Sequence, residues 1–386
     1  MKTVYTTLPF YDSTDKQDYE RTGQLRPIIT PRHQLPPFQF QVTSGVATAA
    51  KVELIDCYDV ATDITTYFVA LPALKALTDN DDYIQYKGAA LKTLLPLGSY
   101  YLKMTDDDDN VYYSEWISVE DVYPSQITSF PSETYDTFTL SGTTITSAIN
   151  LAGDAFAWSD QFSVREGENI TVIVYLTLSS GQAPYVSLDD LGGLGTVSNA
   201  EQLSAGINEI TLISTATVGA ARVKIYNNAA SNFATNEIIA IRQYSDDYIK
   251  LTFSNTKDLP TPDNEPSILY QDSFEDMIWF NTKLNTPEHE TISEGTEKNG
   301  DFIAEKIVSV YHYKIIDYIG RNLYRSLHRL PLHDDVTIID TVGNEYDVDH
   351  SITVDPVEWN YYDMGKLVIR FNDGASVWEG NASNLT

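Results

Sequence analysis

Short segments in which apolar and polar residues alternate occur along most of this chain. Phe38–Val42 is one of them, and Asn169–Leu178 and Ala221–Asn227 are others. Successive side chains of a β-strand point to opposite faces of its sheet, so a period of two indicates strands that are buried on one face. Turns rich in Gly and Asp separate these segments at the spacing that is typical of β-sandwiches. The pattern predicts a mainly β protein.

Changes in pattern divide the 386 residues into four predicted parts. Residues 1–37 are rich in proline and have no sustained period, which favours an extended N-terminal arm that lies on a neighbouring subunit. Residues 38–122 are typical of an immunoglobulin-like or fibronectin type III-like sandwich. Residues 125–244 resemble the jelly-roll sandwich shared by carbohydrate-binding modules and phage accessory domains. Residues 245–386 are predicted to form a β-rich α+β domain, so the fold class is a series of β-sandwiches followed by that domain.

One helix is predicted, in the last part, at Asp317–Leu330. Apolar residues recur there at i, i+4, i+8 and i+11, namely at Ile319, Leu323, Leu327 and Leu330. Before the helix, Phe302–Tyr313 is predicted to be one long strand, and Thr286–Gly300 a polar, Glu-rich loop.

The net charge of −30 limits the partners that the chain can bind. Duplex nucleic acid is bound by Lys and Arg side chains that neutralise its phosphates, and anionic membranes attract basic segments, so neither is expected as a partner. The excess of carboxylates has two interpretations. It keeps the protein soluble, or it forms acidic faces that dock basic patches or take up cations.

Cys57 is the only cysteine, so neither an intrachain disulfide nor a cysteine zinc cluster is expected. The first residues lack the apolar segment of a signal peptide, and no segment approaches the about 18 apolar residues that span a membrane. The sequence therefore predicts a protein that is made in the cytoplasm and has no membrane anchor.

No motif in the sequence assigns a catalytic residue, a metal or a cofactor. Asp106–Asp109 lack the ligand spacing of an EF-hand and are better explained as a solvated hairpin tip. The glycines of Asp189–Gly195 match no nucleotide-binding motif, and the histidines form none of the paired zinc motifs. The carboxylate pair of a glycoside hydrolase is defined by a distance in space, which the sequence does not give.

Two sets of residues are candidates for binding. Trp158, Tyr175, Tyr185 and Tyr226 lie in the predicted middle sandwich, where they either belong to the core or stack on sugar rings, and Trp158 and Tyr185 are the candidate glycan-binding residues. Arg321, Arg325 and Arg329 recur at i, i+4 and i+8 and so line one stripe of the predicted helix. That stripe is either a solvated face or a docking strip for an acidic neighbour or a second copy of the chain.

Segments at both ends of the chain carry a family resemblance. Those near the N-terminus are Leu8–Gln17, Leu25–Arg32 and Leu35–Gln39, and those in the last part are Asp247–Asp258 and Ile268–Glu275. They resemble virion proteins of bacteriophages and prophages of Bacteroidetes, including crAss-like phages. The resemblance implies a place in the tail, neck or adsorption apparatus of a virion, with no catalytic residues to carry over.

These observations predict a non-enzymatic structural subunit of a phage virion, made in the cytoplasm of the bacterial host. We expect it to form a ring or sleeve around the tail axis by binding copies of itself and other tail or neck proteins. The alternative is a fibre or adhesin whose middle domain binds host surface glycan. A third class, a polysaccharide-degrading enzyme, would need a cleft with facing carboxylates.

Overall fold

The computed structural model of the chain describes residues 2–12, 27–42, 49–76, 82–123, 134–135, 138–141, 144–147, 155–193, 195–242, 245, 247–259, 267–270, 273–298, 301–348, 351–359 and 364–379. Strands dominate these residues, and α1 (Arg321–Leu327) is the single α-helix among them. No helix in the described ranges is long and apolar enough to cross a membrane. The predicted mainly β fold is confirmed.

The first sandwich is built from strands between residues 2 and 120. They are β1 (Lys2–Thr3), β2 (Phe10–Asp12), β3 (Ile28–Pro31), β4 (Phe38–Val42), β5 (Ala49–Asp56), β6 (Ala61–Asp63), β7 (Ala73–Ala76), β8 (Asp82–Tyr86), β9 (Gly98–Asp106) and β10 (Val111–Glu120), with a 3₁₀ helix at Thr65–Tyr67. Strands β1, β4, β8 and β7 form one sheet, and β5, β9 and β10 belong to a second. Phe38 and Phe40 of β4 share a buried cluster with Leu54 of β5 and Leu102 of β9, so the two sheets enclose a common core.

The described part of residues 1–37 lies within this sandwich. Strand β1 pairs with β4, and β2 pairs with β10. Leu8, Phe10 and Leu35 are fully buried, and the centre of the Phe10 ring lies 4.5 Å from that of Phe38. Contrary to the prediction of an extended arm, these residues contribute strands and core side chains, because the apolar residues between the prolines reach the core.

The middle sandwich is built from strands between residues 134 and 242. They are β11 (Thr134–Tyr135), β12 (Phe138–Ser141), β13 (Thr144–Ser147), β14 (Phe156–Trp158), β15 (Phe162–Val164), β16 (Asn169–Gly181), β17 (Tyr185–Asp190), β18 (Gly195–Thr196), β19 (Glu201–Gln202), β20 (Gly206–Ile213), β21 (Val218–Tyr226), β22 (Ser231–Thr235) and β23 (Ile239–Arg242). In the described ranges, a seven-stranded sheet contains β14, β21 and β17, and a six-stranded sheet contains β16 and β20. Val172 and Leu212 of the six-stranded sheet share a buried cluster with Val186 and Val223 of the seven-stranded sheet.

The last part of the chain contributes further strands and the helix. The strands are β24 (Ile249–Ser254), β25 (Asp276–Phe280), β26 (Glu288–Lys298), β27 (Asp301–Gly320), β28 (Asp335–Ile339), β29 (Glu345–Asp347), β30 (Thr353–Val354) and β31 (Met364–Glu379), and a 3₁₀ helix lies at Leu330–Leu332. One sheet has the order β26-β27-β31-β30. Ile315 of β27 and Ile369 of β31 pack in one cluster with Leu251 of β24 and Ile338 of β28.

Two local predictions in this last part are wrong. Residues 288–298 are strand β26 rather than part of a polar loop, because they pair along their length with β27. The helix begins at Arg321 rather than at Asp317, because β27 continues to Gly320 by pairing with β31. It also ends earlier than predicted, at Leu327.

One sheet joins the first sandwich to the last part of the chain. Its order over the described residues is β29-β28-β24-β25-β3-β10-β9-β5-β6, with β2 beside β10. Strand β3 is parallel to β10 and antiparallel to β25. Ile28 of β3 packs in the core of the first sandwich, and Ile29 packs on the other face in a cluster with Ile239 and Ile241 of the middle sandwich. The sheet therefore crosses the limits predicted for the first and last domains, and the middle sandwich packs against it.

Candidate functional site

The outer face of the seven-stranded sheet in the middle sandwich carries four aromatic rings. Phe156 lies opposite Tyr226 across β14 and β21, and Tyr226 lies opposite Tyr185 across β21 and β17. Ala157 points the other way, into the core. Because side chains alternate between faces, Trp158 shares the outer face with Phe156. We call this surface the aromatic face and define it by Phe156, Trp158, Tyr185, Asp189, Arg222, Lys224 and Tyr226.

The four rings of the aromatic face form two neighbouring pairs. The centres of the Phe156 and Trp158 rings are 4.5 Å apart, with their planes at 38°. Those of Tyr185 and Tyr226 are 5.7 Å apart, with their planes at 25°. All four side chains are half-buried. The indole Nε1–H of Trp158 is itself buried, so solvent reaches ring carbon rather than the polar edge.

Two basic side chains lie among the rings. The Lys224 ammonium is 5.4 Å from the centre of the Phe156 ring and 5.2 Å from that of Tyr226. The Arg222 guanidinium is 5.2 Å from the centre of the Trp158 ring, and Arg222 is only 8% exposed. Cations at such distances are attracted by the electron-rich faces of aromatic rings. Both basic groups therefore help to hold the rings in place.

Asp189 is the carboxylate of the aromatic face. Its Oδ2 lies 2.9 Å from the Lys224 Nζ, and its Oδ1 accepts hydrogen bonds from the hydroxyls of Thr196 at 2.9 Å and Ser187 at 3.3 Å. Burial raises the pKa of Tyr226, and the nearby Asp189 adds to the rise, so the Tyr226 hydroxyl stays protonated at neutral pH. Apolar ring surface beside a few positioned polar groups is the usual composition of a site that binds small polar ligands.

The structure brings the two candidates Trp158 and Tyr185 onto one face, on strands that flank β21. Tyr226 of β21 shares this face, whereas Tyr175 lies on the six-stranded sheet. Sequence reasoning did not find Phe156, Arg222 or Lys224. The alternation in residues 156–158 and 222–226 is visible in the sequence and assigns each segment to one face. The register that places these segments side by side involves residues far apart in sequence, and alternation does not give it.

The three predicted docking arginines do not form one exposed stripe. The Arg321 guanidinium lies 5.4 Å from the centre of the Trp359 ring. The Arg325 guanidinium lies 4.7 Å from the centre of the Tyr5 ring and donates a hydrogen bond to its hydroxyl. Arg329 is 6% exposed. His328 and Arg329 keep helical backbone angles beyond the end of α1, so the stripe fails because Arg329 is buried and the other two arginines lie against aromatic rings.

A buried polar cluster ties α1 to the N-terminal residues. The side-chain amide of Asn322 donates to Glu115 Oε1 at 2.7 Å and to the Tyr11 hydroxyl at 2.8 Å. That hydroxyl donates to the same Glu115 oxygen at 3.1 Å. Burial, followed by the charge of Glu115, raises the pKa of Tyr11. These polar groups satisfy one another, so the cluster holds the helix against the first sandwich.

Residues Asp106–Asp109 form the turn between β9 and β10. The last three are exposed, but Asp106 is 1% exposed. Its Oδ1 accepts a hydrogen bond from the N–H of Asn110 at 2.8 Å, and its Oδ2 accepts one from the Tyr112 hydroxyl at 2.7 Å. Asp340–Tyr346 repeats this arrangement between β28 and β29. In this chain, an Asp followed by Asn four positions later and Tyr six positions later marks a hairpin turn.

Comparison with known proteins finds similarity in solved structures only. No family model and no curated protein matches the sequence. One similar structure is the C-terminal carbohydrate-binding module (CBM6) of the marine laminarinase LamC from Zobellia galactanivorans, at 9% identity and a TM-score of 0.24, covering 30% of this chain and 97% of that one. Another is described as one of the carbohydrate-binding modules from the β-sandwich superfamily, at 15% identity and a TM-score of 0.20, covering 54% of this chain and 96% of that one.

Proposed function

We propose that the middle sandwich binds saccharides on the aromatic face. The observation that carries this proposal is the row of half-buried rings on one sheet face, beside the ion pair of Lys224 and Asp189. Sugar rings have apolar C–H faces, which pack on aromatic rings, and hydroxyls, which need donors and acceptors. The aromatic face offers both kinds of contact side by side.

The expected affinity of one aromatic face is low. A flat surface covers less of a ligand than the clefts that bury most of a small molecule. A Kd of about 1 mM corresponds to a binding free energy of about −4 kcal/mol. Display of several copies on one particle raises the overall avidity by about 10²- to 10⁴-fold, provided that the copies reach their sites together. Weak single sites therefore suit a protein that works in an assembly.

Titration calorimetry with soluble oligosaccharides, guided by a glycan array, tests the proposal. Trp158→Ala and Tyr185→Ala each remove a ring of the aromatic face and are expected to weaken binding by about tenfold or more, which is about 1.4 kcal/mol. Tyr175→Ala is the matched control. Tyr175 is also half-buried, but it lies on the six-stranded sheet, under the Lys92 ammonium. Binding that survives both changes on the aromatic face, or that Tyr175→Ala weakens equally, would overturn the proposal.

We further propose that the chain acts without catalysis as a structural subunit of a bacteriophage virion, in the tail or neck. Among the residues that the structure describes, strand β26 of 11 residues is an edge strand of the sheet β26-β27-β31-β30. It pairs with the first half of β27, whereas the buried residues Ile315 and Ile319 lie in the second half. A long edge strand has unpaired backbone groups, which pair with another chain unless something covers them. This edge supports assembly with copies of the chain or with other tail and neck proteins, and the family resemblance supports the virion as the location.

Sedimentation of the purified chain tests the assembly proposal. The intact chain is expected to form a closed oligomer, and a variant in which Asn-Gly replaces residues 293–307 is expected to be monomeric. That hairpin keeps the pairing of Ile292 with Val308 and leaves the core residues of β27 in place. A monomeric intact chain at high concentration, or an unchanged oligomer of the shortened variant, would contradict assembly through β26. Cryo-electron microscopy of intact particles would show whether the chain lies in the tail or neck.

A further inference from the structure

We infer that the aromatic face selects uncharged pyranosides over glycans that carry carboxylates or sulfates. This inference rests on the proposed saccharide binding and adds the chemical class of the ligand. It follows from how the charged side chains of the aromatic face are used within the chain.

The Lys224 ammonium is held by an internal partner. Its Nζ lies 2.9 Å from Asp189 Oδ2, and the two side chains are 23% and 13% exposed. An anionic sugar that approached Lys224 would come close to the Asp189 carboxylate and would compete with it. Like charges at close range in a partly buried site repel strongly. The ion pair therefore offers no net attraction for an anion.

The Arg222 guanidinium is shielded from the outer surface. It lies over the Trp158 ring, and Arg222 is 8% exposed, so a ligand on the outer surface reaches little of it. The chain as a whole carries a net charge of −30. Its long-range field adds repulsion of anions, although salt at about 0.15 M screens this over about 8 Å. Selection then depends on the charges nearest to the ligand.

An uncharged sugar can use the same ion pair without breaking it. A carboxylate has about four acceptor positions and an ammonium has three N–H groups. Asp189 receives Lys224 and two hydroxyls, and Lys224 keeps further N–H groups. Two neighbouring sugar hydroxyls can therefore bridge the pair, one donating to Asp189 and one accepting from Lys224, while the ring lies on Tyr226 or Phe156.

A matched pair of probes tests the selectivity: a neutral gluco-oligosaccharide and an oligouronate of the same length and linkage. The chain is expected to bind the neutral probe at least about tenfold more tightly. Asp189→Asn removes the carboxylate charge and leaves the Lys224 ammonium available, so the preference is expected to narrow to about threefold or less. Asp190→Asn is the matched control, because Asp190 is the next residue of β17 and alternates to the other face. It is expected to leave the preference unchanged.

Each outcome separates the two proposals. Tighter binding of the oligouronate that Trp158→Ala abolishes would overturn the selectivity and leave saccharide binding intact. The selectivity would also be overturned if Asp190→Asn narrowed the preference for the neutral probe as much as Asp189→Asn does. The effect would then come from the overall charge of the chain. If neither probe binds and an array of neutral and anionic glycans is also blank, saccharide binding itself fails, and the inference fails with it.

Discussion

Asp276→Asn tests how the chain holds a carboxylate that has no access to solvent. Asp276 begins strand β25 and is 0% exposed. Its Oδ2 accepts a hydrogen bond from the Thr7 N–H at 2.7 Å, and its Oδ1 accepts one from the Met277 N–H at 3.0 Å. Burial raises the pKa of Asp276 from 3.8 to about 7, although these hydrogen bonds oppose the rise.

The size and sign of the pH dependence follow from that shift. In the unfolded chain the carboxyl ionises near pH 4, whereas in the folded chain it stays protonated until about pH 7. Between these values the unfolded state binds fewer protons, so the free energy of unfolding falls as the pH rises. A shift of about 3 units at about 1.36 kcal/mol per unit amounts to about 4 kcal/mol, lost by about pH 7 and constant above it. Asparagine does not titrate, so this fall in the free energy of unfolding is absent from Asp276→Asn.

Denaturant unfolding of the two proteins at several pH values measures the effect. Tryptophan fluorescence is a suitable signal, because Trp279 lies buried in the same strand. The stability of the natural chain minus that of Asp276→Asn is expected to fall by about 4 kcal/mol between about pH 4 and about pH 8. Asp108→Asn, in an exposed turn, is the control and should follow the natural chain. A difference that stays within about 1 kcal/mol, or that rises with pH, would refute the reasoning.

Three further predictions concern stability, and denaturant unfolding measures each. Phe10→Ala is expected to lower the free energy of unfolding by about 3 to 5 kcal/mol, because Phe10 is fully buried. A residue in an extended arm would tolerate the change. Gly181→Ala is expected to be strongly destabilising, because the new Cβ would lie 2.2 Å from a backbone oxygen. Gly193 also has a positive φ, but no atom lies within 4 Å of its added Cβ, so Gly193→Ala should lower the stability much less. Asp106→Ala is expected to cost about 2 kcal/mol or more through lost hydrogen bonds in its turn, while Asp108→Ala should be near neutral. Equal effects within either matched pair, or a neutral Phe10→Ala, would contradict these assignments.

Several strands were predicted well because the signal for them lies in their own residues. Apolar residues occur at every second position of Ile170–Leu176 in β16 and of Ala221–Ile225 in β21, and this face of each strand meets the core of the middle sandwich. Strand β26 escaped prediction because Glu and Gly have low strand propensity, and it forms by pairing with β27. The helix was predicted to begin too early because Ile319 and Leu323 are four residues apart, as on one face of a helix. In the structure Ile319 lies near the end of a strand, and Leu323 lies in the helix that follows it directly.

Only part of the candidate site was predictable, because the pattern of a single strand is local and the pairing between strands is not. Trp158 and Tyr185 stand out as aromatic residues in a strand pattern, but their meeting depends on β21, which lies between them. The prediction of the docking stripe was wrong because helical spacing does not show that Arg329 is buried or that Arg321 and Arg325 lie against aromatic rings. The prediction of an N-terminal arm was wrong for a different reason. Proline content indicates an absence of regular pairing within a segment, but it says nothing about pairing with strands elsewhere.

The position of strand β3 affects how a growing chain can fold on the ribosome. One neighbour of β3, strand β10, is complete at Glu120, whereas the other, β25, begins only at Asp276. At about 5 to 20 residues per second, the nascent chain waits on the order of ten seconds for that second neighbour. All strands of the middle sandwich emerge during this interval, so the sandwich can fold first and cover Ile29 through Ile239 and Ile241. The open edge of β3 then stays exposed to other chains until β25 has been made.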